Sequence, residues 1–236
     1  MTAALTVASF NARAGIDARG HSYDVGAVVA SLQADVIAVQ ETVRPVDREG
    51  WPAAVAAQGG YRLLQTDLRR VDLSARGRIR ARADGRYWWG LALFSRLPVT
   101  EHWTIDLGRI PTDSAPRAAI VADLAIGIRA VAVHSTHRVP LALVQLRRLA
   151  RSLPRDATPT VVLGDMNLWG LFVDRAFPGW ERPVRGRSWP AHRPLAQIDH
   201  IVTSGLGGAA SGHVLGQAHS DHRPIRATLA IKRSDQ

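Results

Sequence analysis

The apolar and polar positions of the chain follow two periodicities, which predicts a mixture of strands and helices. Short runs that are rich in β-branched residues, and that either alternate or stay apolar, are typical of strands. Such runs predict strands over 5–11, 36–40, 61–66, 88–94, 99–107, 117–125, 129–134, 160–164, 198–204, 213–215 and 225–231. Apolar residues that recur every three or four positions predict helices over 25–32, 51–57, 143–153 and 168–176.

The order of these elements indicates the fold class. The chain begins strand–helix–strand, which is typical of two parallel strands joined by a crossover. Mainly strands follow, and this favours an α/β protein with either one mixed sheet or two stacked sheets. No stretch resembles a linker between domains, so we predict one domain over residues 1–236.

The segment 68–86 departs from both apolar patterns. It has few apolar residues and a high density of arginines, namely Arg69, Arg70, Arg76, Arg78, Arg80, Arg82 and Arg86. We therefore expect an exposed loop or ribbon there. The segment is either a solvated charged loop or an arm that contacts nucleic acid.

The amino-acid composition excludes some kinds of functional site and favours one class of binding partner. The chain has no cysteine, which excludes disulfides, thiolate metal sites and cysteine nucleophiles. Its formal net charge is +10, and Lys232 is the only lysine. A positive charge of this size favours a polyanionic partner such as nucleic acid. The preference for arginine over lysine is uninformative, because a GC-rich genome also produces it.

The first residues and the apolar runs argue against secretion and membrane insertion. The chain starts with a strand-like run, without the basic and apolar regions of a signal peptide. No apolar run is long enough to span a bilayer. We therefore expect a cytoplasmic protein with no integral membrane segment, and we expect a monomer.

The sequence TVVLGDMN at 160–167 is the first candidate for chemistry. A β-rich run reaches Gly164 and is followed by Asp165 and Asn167 at a spacing of two. If the extended conformation continues, both side chains lie on one face. A carboxylate beside a carboxamide suits a site that takes a proton and holds an oxygen. The alternative is a strand that ends in an Asx-type turn.

Other predicted strands also lead into polar residues that can do chemistry. These residues are Asn11, Glu41, His134, Asp199, Asp221 and His222. Each one alone has a structural explanation as a turn former, a cap, a surface charge or a core histidine. Together they indicate a site, because ligands of sheet proteins gather where loops leave the strand ends.

These motifs, in this order and at roughly this spacing, resemble the endonuclease/exonuclease/phosphatase superfamily. The matching residues are FN at 10–11, QE at 40–41, His134, GDMN at 164–167, IDH at 198–200 and SDHRP at 220–224. The resemblance runs from Leu5 to Ile231, and the combination of GDMN with SDHRP is specific. Arg13, two residues after Asn11, is more similar to deoxyribonuclease I than to apurinic endonucleases.

The resemblance implies a fold and a reaction. The implied fold is a four-layer α/β sandwich of two sheets, like that of deoxyribonuclease I, with the site at one edge. The implied reaction is hydrolysis of a phosphate ester assisted by Mg²⁺ or Mn²⁺. Mg²⁺ takes a few carboxylate ligands and keeps several waters. Glu41 is the best candidate ligand, with Asn11, Asp221 and Asp165 nearby.

The resemblance also implies roles for the remaining site residues. Asp165 would orient or deprotonate the attacking water, and Asn167 would hold a phosphate oxygen. His222 and His134 would donate hydrogen bonds to transition-state oxygens or assist the leaving group. Asp199 would fix the tautomer of His222 and favour its charged form.

Two departures from the family pattern concern the histidines. Deoxyribonuclease I pairs its first histidine with a glutamate on a neighbouring strand, but the matching stretch here, GRYWWGLALFS at 85–95, has no acid. His134 is therefore less well oriented unless Asp84 reaches it. In addition, THR at 136–138 could match the family's Thr-His-Leu motif, so His137 is an alternative to His134.

Three functions are consistent with these residues. The first is a divalent-metal phosphodiesterase that acts on DNA or RNA and contacts its substrate through Arg13, Arg44 and His137. The second is a lipid or small-molecule phosphoesterase of the sphingomyelinase or phosphoinositide phosphatase type. The third is a non-catalytic binding module on the same fold, which predicts that at least one catalytic residue is lost. None of them is lost, which favours an enzyme.

Overall fold

The computed structural model describes residues 2–73, 79–110, 113, 115–206, 208 and 210–232. Within these residues the chain forms twelve strands and four α-helices. The strands are β1 Thr2–Asn11, β2 Val36–Pro45, β3 Arg62–Leu73, β4 Ile79–Ala81, β5 Tyr87–Ser95, β6 Val99–Gly108, β7 Arg117–Leu124, β8 Ile128–His134, β9 Thr160–Asp165, β10 Asp199–Ser204, β11 Ala210–Val214 and β12 Ile225–Lys232. The helices are α1 Val25–Ser31, α2 Trp51–Gly59, α3 Val139–Ser152 and α4 Gly170–Ala176.

The strands form two sheets. One has the order β11-β12-β1-β2-β5-β3-β4, and the other has the order β10-β9-β8-β7-β6. Two neighbouring pairs are parallel, β1 with β2 and β8 with β9. Each parallel pair is joined through a helix, α1 in the first sheet and α3 in the second. The parallel pair predicted at the start of the chain is therefore confirmed, and two sheets form rather than one.

The central strands are buried on both faces, which explains their continuous apolar runs. In β2, Val36 and Ala38 pack in the core between the two sheets. Ile37 and Val39 point the opposite way and pack against α1 and α2. A third apolar cluster joins α3 and α4 to the outer face of the five-stranded sheet. These three cores separate four layers, so the predicted four-layer sandwich is confirmed.

The helix ends follow local chemistry. The side chain of Asp24 accepts a hydrogen bond from the backbone N–H of Ala27 and caps the start of α1. Gly60 takes a left-handed conformation with φ 67° and ends α2. No described helix has both the length and the apolar character needed to cross a membrane.

The arginine-rich segment is a β-ribbon in the part that the structure describes. β3 continues to Leu73 and pairs with β5 and β4, so this strand is longer than predicted. The Arg70 guanidinium lies 5.8 Å from the centre of the Trp88 ring on β5. Such cross-strand pairs add contact area to that of the buried Val71 on the same strand. The tip at 74–78, with Arg76 and Arg78, lies outside the described residues.

Candidate active site

Strand ends from both sheets meet at one edge of the sandwich. β1 and β2 run parallel in one sheet, and β8 and β9 run parallel in the other. β10 begins at this edge because Asp199 pairs with Asp165, and β12 begins there because Ile225 pairs with Ser9. This edge brings together six of the predicted residues, Asn11, Glu41, His134, Asp165, Asp199 and His222.

Asp165 lies at the centre of this group and is almost fully buried. The side-chain amide of Asn11 donates to Asp165 Oδ2 over 3.0 Å and to Glu41 Oε1 over 3.2 Å. The backbone N–H of Asn167 donates to Asp165 Oδ1 over 3.0 Å. Burial raises the pKa of Asp165, while nearby His222 acts in the opposite direction. A carboxyl with a raised pKa is a better proton acceptor at neutral pH.

Of the two interpretations of the DMN sequence, the backbone adopts the strand that ends in an Asx-type turn, and the extended conformation does not continue through Asn167. The contact from the Asn167 backbone to the Asp165 side chain is an Asx-type turn, and Asn167 has a left-handed φ of 48°. Both side chains nevertheless line the same pocket. The Asn167 amide also donates to the carbonyl of Ser135 over 3.1 Å, which fixes its orientation.

Glu41 reaches the pocket through an irregularity in β2. The pairing of β2 with β5 shifts register between Gln40 and Thr42, and Glu41 has a φ of 53°. A bulge of this kind re-aims a side chain at a sheet edge, at some cost in backbone strain. The Glu41 side chain is partly exposed in the pocket.

His222 is held by an acid, as predicted. Its Nδ1 lies 3.0 Å from Asp199 Oδ2, and its Nε2 lies 3.8 Å from Asp165 Oδ2. Burial lowers the pKa of His222, but the carboxylates of Asp199 and Asp165 outweigh it and raise the pKa above its ordinary value. The ring is therefore charged at neutral pH and presents Nε2–H to the pocket.

His134 has a different environment. Its Nε2 lies 3.5 Å from Asp165 Oδ2, but its Nδ1 faces a nitrogen, Arg117 Nη1, at 3.1 Å. Asp84, the suggested acid partner, is exposed and pairs with Arg82. Burial and then the charge of Arg117 lower the pKa of His134 well below its ordinary value. His134 is therefore neutral.

The pocket itself has a volume of about 220 Å³ and includes residues that sequence reasoning missed. His134 and His137 both line it, so the two alternatives for the site histidine are not exclusive. The missed lining residues are Arg69, Val71, Trp89, Ala115 and Arg117. Arg117 is the first residue of the predicted strand 117–125, which directly precedes the strand that ends at His134. Its position at a strand end was the one sequence feature that could have identified it as a site residue.

Five predicted residues are not among the described residues that line the pocket, namely Asn11, Asp199, Arg13, Asp221 and Arg44. Asn11 and Asp199 are hydrogen-bonded to the lining residues Asp165 and His222. Arg13 Nε lies 3.5 Å from Asp221 Oδ2, and both side chains are about one third exposed, at 32% and 30%. Arg44 instead forms a bidentate pair with Asp67, including a bond from Nε over 3.2 Å. The structure therefore does not bring Arg44 to the pocket, because the nearby Asp67 carboxylate already binds its guanidinium.

The site offers ligands for a metal ion. Ligand atoms of Asp165, Asp199 and His222 all lie within 4.8 Å of one another, close enough to hold one ion. Within this trio, however, His222 Nδ1 is hydrogen-bonded to Asp199. A hard divalent cation prefers oxygen ligands and retained waters. The partly exposed carboxylate of Glu41, bridged to Asp165 through Asn11, fits that preference better.

Comparisons with known proteins agree with this architecture. The sequence model of the Endonuclease/Exonuclease/phosphatase family matches residues 8–222. A solved structure of an endonuclease/exonuclease/phosphatase from Beutenbergia cavernae DSM 12333 matches 99% of this chain and 73% of its own, with 19% identity and a TM-score of 0.77. No curated protein matches the sequence.

Solved structures with different activities are about equally similar. Sphingomyelinase C from Streptomyces griseocarneus matches 97% of this chain and 100% of its own, with 16% identity and a TM-score of 0.67. An AP endonuclease from Archaeoglobus fulgidus matches 95% of this chain and 99% of its own, with 18% identity and a TM-score of 0.64. At these identities the likeness concerns the fold and does not select a substrate.

Proposed function

Because the chain belongs to the Endonuclease/Exonuclease/phosphatase family, whose members hydrolyse phosphoester bonds, we propose that it is a divalent-metal phosphodiesterase that cleaves nucleic acid. One observation carries the chemistry: a buried carboxylate, a carboxamide and three histidines face one pocket beside the carboxylate of Glu41. A second observation, that Arg69 of the arginine-rich ribbon lines the same pocket, supports the substrate class.

The Glu41 carboxylate would hold the Mg²⁺ or Mn²⁺ ion, with Asp221 on the adjoining segment. Asn11, expected as a further ligand, presents amide N–H groups to Glu41 and Asp165, while its Oδ1 accepts from the backbone N–H of Arg13. When bound, the ion would polarise a phosphoryl oxygen and offset the charge that develops on it. Glu41 is suited to this because it combines a negative charge with access to the pocket. Asn11 keeps the Glu41 carboxylate oriented through its hydrogen bond.

Asp165 would take a proton from the attacking water. Its two oxygens are held by the Asn11 side chain and the Asn167 backbone, so the carboxylate cannot rotate freely. Fixed orientation lowers the reorganisation that proton transfer requires. The second N–H of the Asn167 amide, not used on Ser135, is available to a phosphate oxygen.

His222 would stabilise the oxygen that gains charge as the ester bond breaks. Asp199 holds Nδ1–H, which leaves Nε2–H directed at the pocket. A charged donor in a buried site is worth considerably more than the same donor in water. His222 can also pass this proton to the leaving oxygen.

The ribbon supports a long anionic substrate. Arg69 lines the pocket, and Arg70 and Arg86 line a neighbouring depression together with Arg48. Guanidinium groups bind phosphates through paired hydrogen bonds. Arginines both in the pocket and outside it favour a substrate with several phosphates, such as a nucleic-acid backbone.

A lipid phosphodiester is the second candidate, because large apolar side chains are exposed at the same edge. These are Trp169 at 54%, Leu171 at 63%, Trp189 at 40% and Leu195 at 65%. The chain just before Trp169 and the chain just after Leu195 are joined by a hydrogen bond from Met166 N to Ile198 O over 2.9 Å. Exposed tryptophan and leucine favour contact with a membrane surface.

A substrate panel tests the proposal. The purified protein should nick supercoiled plasmid DNA or cleave RNA with Mg²⁺ or Mn²⁺, and EDTA should abolish the activity. His222→Ala should lower the rate by at least about a hundredfold. His102→Ala, an exposed histidine on β6, should retain it. Cleavage of sphingomyelin vesicles without action on DNA or RNA would contradict the nucleic-acid assignment and support the lipid alternative.

A further inference from the structure

A buried arginine occupies the place where an acid was expected beside His134. Arg117 Nη1 lies 3.1 Å from His134 Nδ1, and the side chains are only 5% and 4% exposed. The guanidinium also donates to both oxygens of Asp113, from Nε and Nη2, over 2.9 Å each. The arginine is thus held rigidly on one side and directed at the histidine on the other.

The identity of the two groups determines where the histidine carries its hydrogen. A guanidinium has five N–H donors, no acceptor and a permanent charge. His134 Nδ1 must therefore accept, and the hydrogen of the neutral ring must be on Nε2. Nε2 is the atom that faces the pocket, 3.5 Å from Asp165 Oδ2 and 4.0 Å from Glu41 Oε1.

The two site histidines consequently have opposite partners. His222 Nδ1 faces the carboxylate of Asp199, whereas His134 Nδ1 faces a cation. Both present Nε2 towards Asp165. The pocket therefore has two Nε2–H donors: that of His222, whose Nδ1 is held by a carboxylate, and that of His134, whose Nδ1 is held by an arginine that is itself paired with Asp113.

The surroundings of Arg117 show that it is built into the fold. Its Cζ atom lies 5.2 Å from the centre of the Trp89 ring, a cation–π distance. Trp89 also packs beside His134, with ring centres 5.6 Å apart. The bidentate Asp113 offsets the cost of burying the charge. Arg117 therefore needs no bound anion to remain in place.

We propose that Arg117, supported by Asp113, is a positioning residue that holds His134 as the Nε2–H tautomer and aims this hydrogen at the scissile phosphate. The catalytic part of this inference rests on the proposed phosphoesterase function, whereas the tautomer does not. His134 then serves as a fixed neutral hydrogen-bond donor. Arg117 acts through His134 and not by contact with the substrate.

The first experiment needs no substrate. Long-range ¹H–¹⁵N spectra of protein labelled at its histidines should show His134 with a hydrogen on Nε2 and an unprotonated Nδ1, the signal being assigned with His134→Gln. In Arg117→Met, which removes the donors at similar volume, the signal should move towards the Nδ1–H tautomer. A wild-type ring with its hydrogen on Nδ1 would overturn the proposal, whether or not the protein is a phosphoesterase.

The second experiment measures steady-state kinetics with the substrate that the wild-type protein cleaves in the substrate panel. Arg117→Met should lower kcat about 10–100-fold with KM nearly unchanged, and Arg117→Lys should restore part of kcat. Arg129→Met is the matched control, because Arg129 is also buried and pairs with Asp123 and Asp156 away from the pocket. An equal loss of kcat in Arg129→Met, or a rise of KM alone in Arg117→Met, would refute positioning through His134.

Discussion

Asn11 donates a hydrogen bond from its side-chain amide to Asp165 Oδ2 over 3.0 Å, although the two residues lie 154 positions apart and in different sheets. The same nitrogen lies 3.2 Å from Glu41 Oε1. One carboxamide therefore bridges a carboxylate from each sheet. Because of this bridge, the geometry of the site depends on how the two sheets pack.

Replacing this bridge should affect catalysis and metal dependence together. Asn11→Ala leaves Glu41 and Asp165 without their common donor, so kcat should fall about 10–100-fold and half-activation should need more Mg²⁺. The free energy of unfolding should fall by about 1–3 kcal/mol. Activity against metal concentration and urea unfolding measure the two effects. Ser31→Ala, at the exposed end of α1, is the control; an unchanged metal requirement in Asn11→Ala would contradict the bridge.

Removing ribbon arginines should weaken binding of a polyanion in a salt-dependent way. The double variant Arg69→Gln with Arg70→Gln should raise KM for DNA or RNA. The slope of log KM against log salt should become shallower by about 1–2, since each lost phosphate contact contributes about 0.7–0.9. Arg147→Gln with Arg151→Gln, exposed on α3, is the matched control. Equal slopes in wild type and ribbon variant would exclude the ribbon as a nucleic-acid contact.

Gly164 in the GDMN motif should be required for packing rather than for chemistry. A Cβ at this position would lie 1.9 Å from the carbonyl oxygen of Val133 on β8, so the parallel β8–β9 pairing would have to move. Gly164→Ala should lower the free energy of unfolding by about 1–3 kcal/mol or more. Gly216→Ala, which meets no atom within 4 Å, should change it by less than about 0.5 kcal/mol. Similar unfolding midpoints for the two variants would contradict this.

Stability should decrease as the pH falls from about 6.5 to about 4 because of His200. This histidine is fully buried, its Nε2–H donates to the carbonyl of Leu168 over 2.8 Å, and burial lowers its pKa from 6.5 to about 4. The folded state thus prefers the neutral ring, so its contribution is complete above pH 6.5 and is lost as pH falls through the folded pKa. The full loss is about 3 kcal/mol.

Urea unfolding in EDTA at several pH values measures this contribution as the difference between wild type and His200→Gln. The difference should shrink as the pH decreases, because the variant cannot be protonated at this position. His102→Gln, at an exposed position on β6, is the matched control for the loss of a histidine. A parallel pH dependence of wild type and His200→Gln would refute the role of His200.

The residue pattern alone determined much of this protein. Buried strands such as 36–40 and 160–164 are continuous apolar runs, because both of their faces are covered, and helix faces repeat every three or four residues. The site could be assembled from local signals because Asp165 ends a strand, His222 shortly precedes one, and Glu41 directly follows the apolar run 36–40. These features are local, so they can be recognised without knowing which elements are neighbours. The structure shows that this strand continues past Glu41, which lies at a bulge within β2.

Tertiary structure decided which groups meet. That His134 faces Arg117, and that Arg44 is bound by Asp67, depends on strands whose pairing no short pattern specifies. The ribbon formed because β3 pairs with β4 and β5, although the second half of β3 carries Arg69, Arg70 and Asp72. Side-chain partners distant in sequence are set by the register and packing of the sheets. A hydrogen-bond or ion-pair partner on another strand or on the other sheet can therefore be identified only in the folded structure.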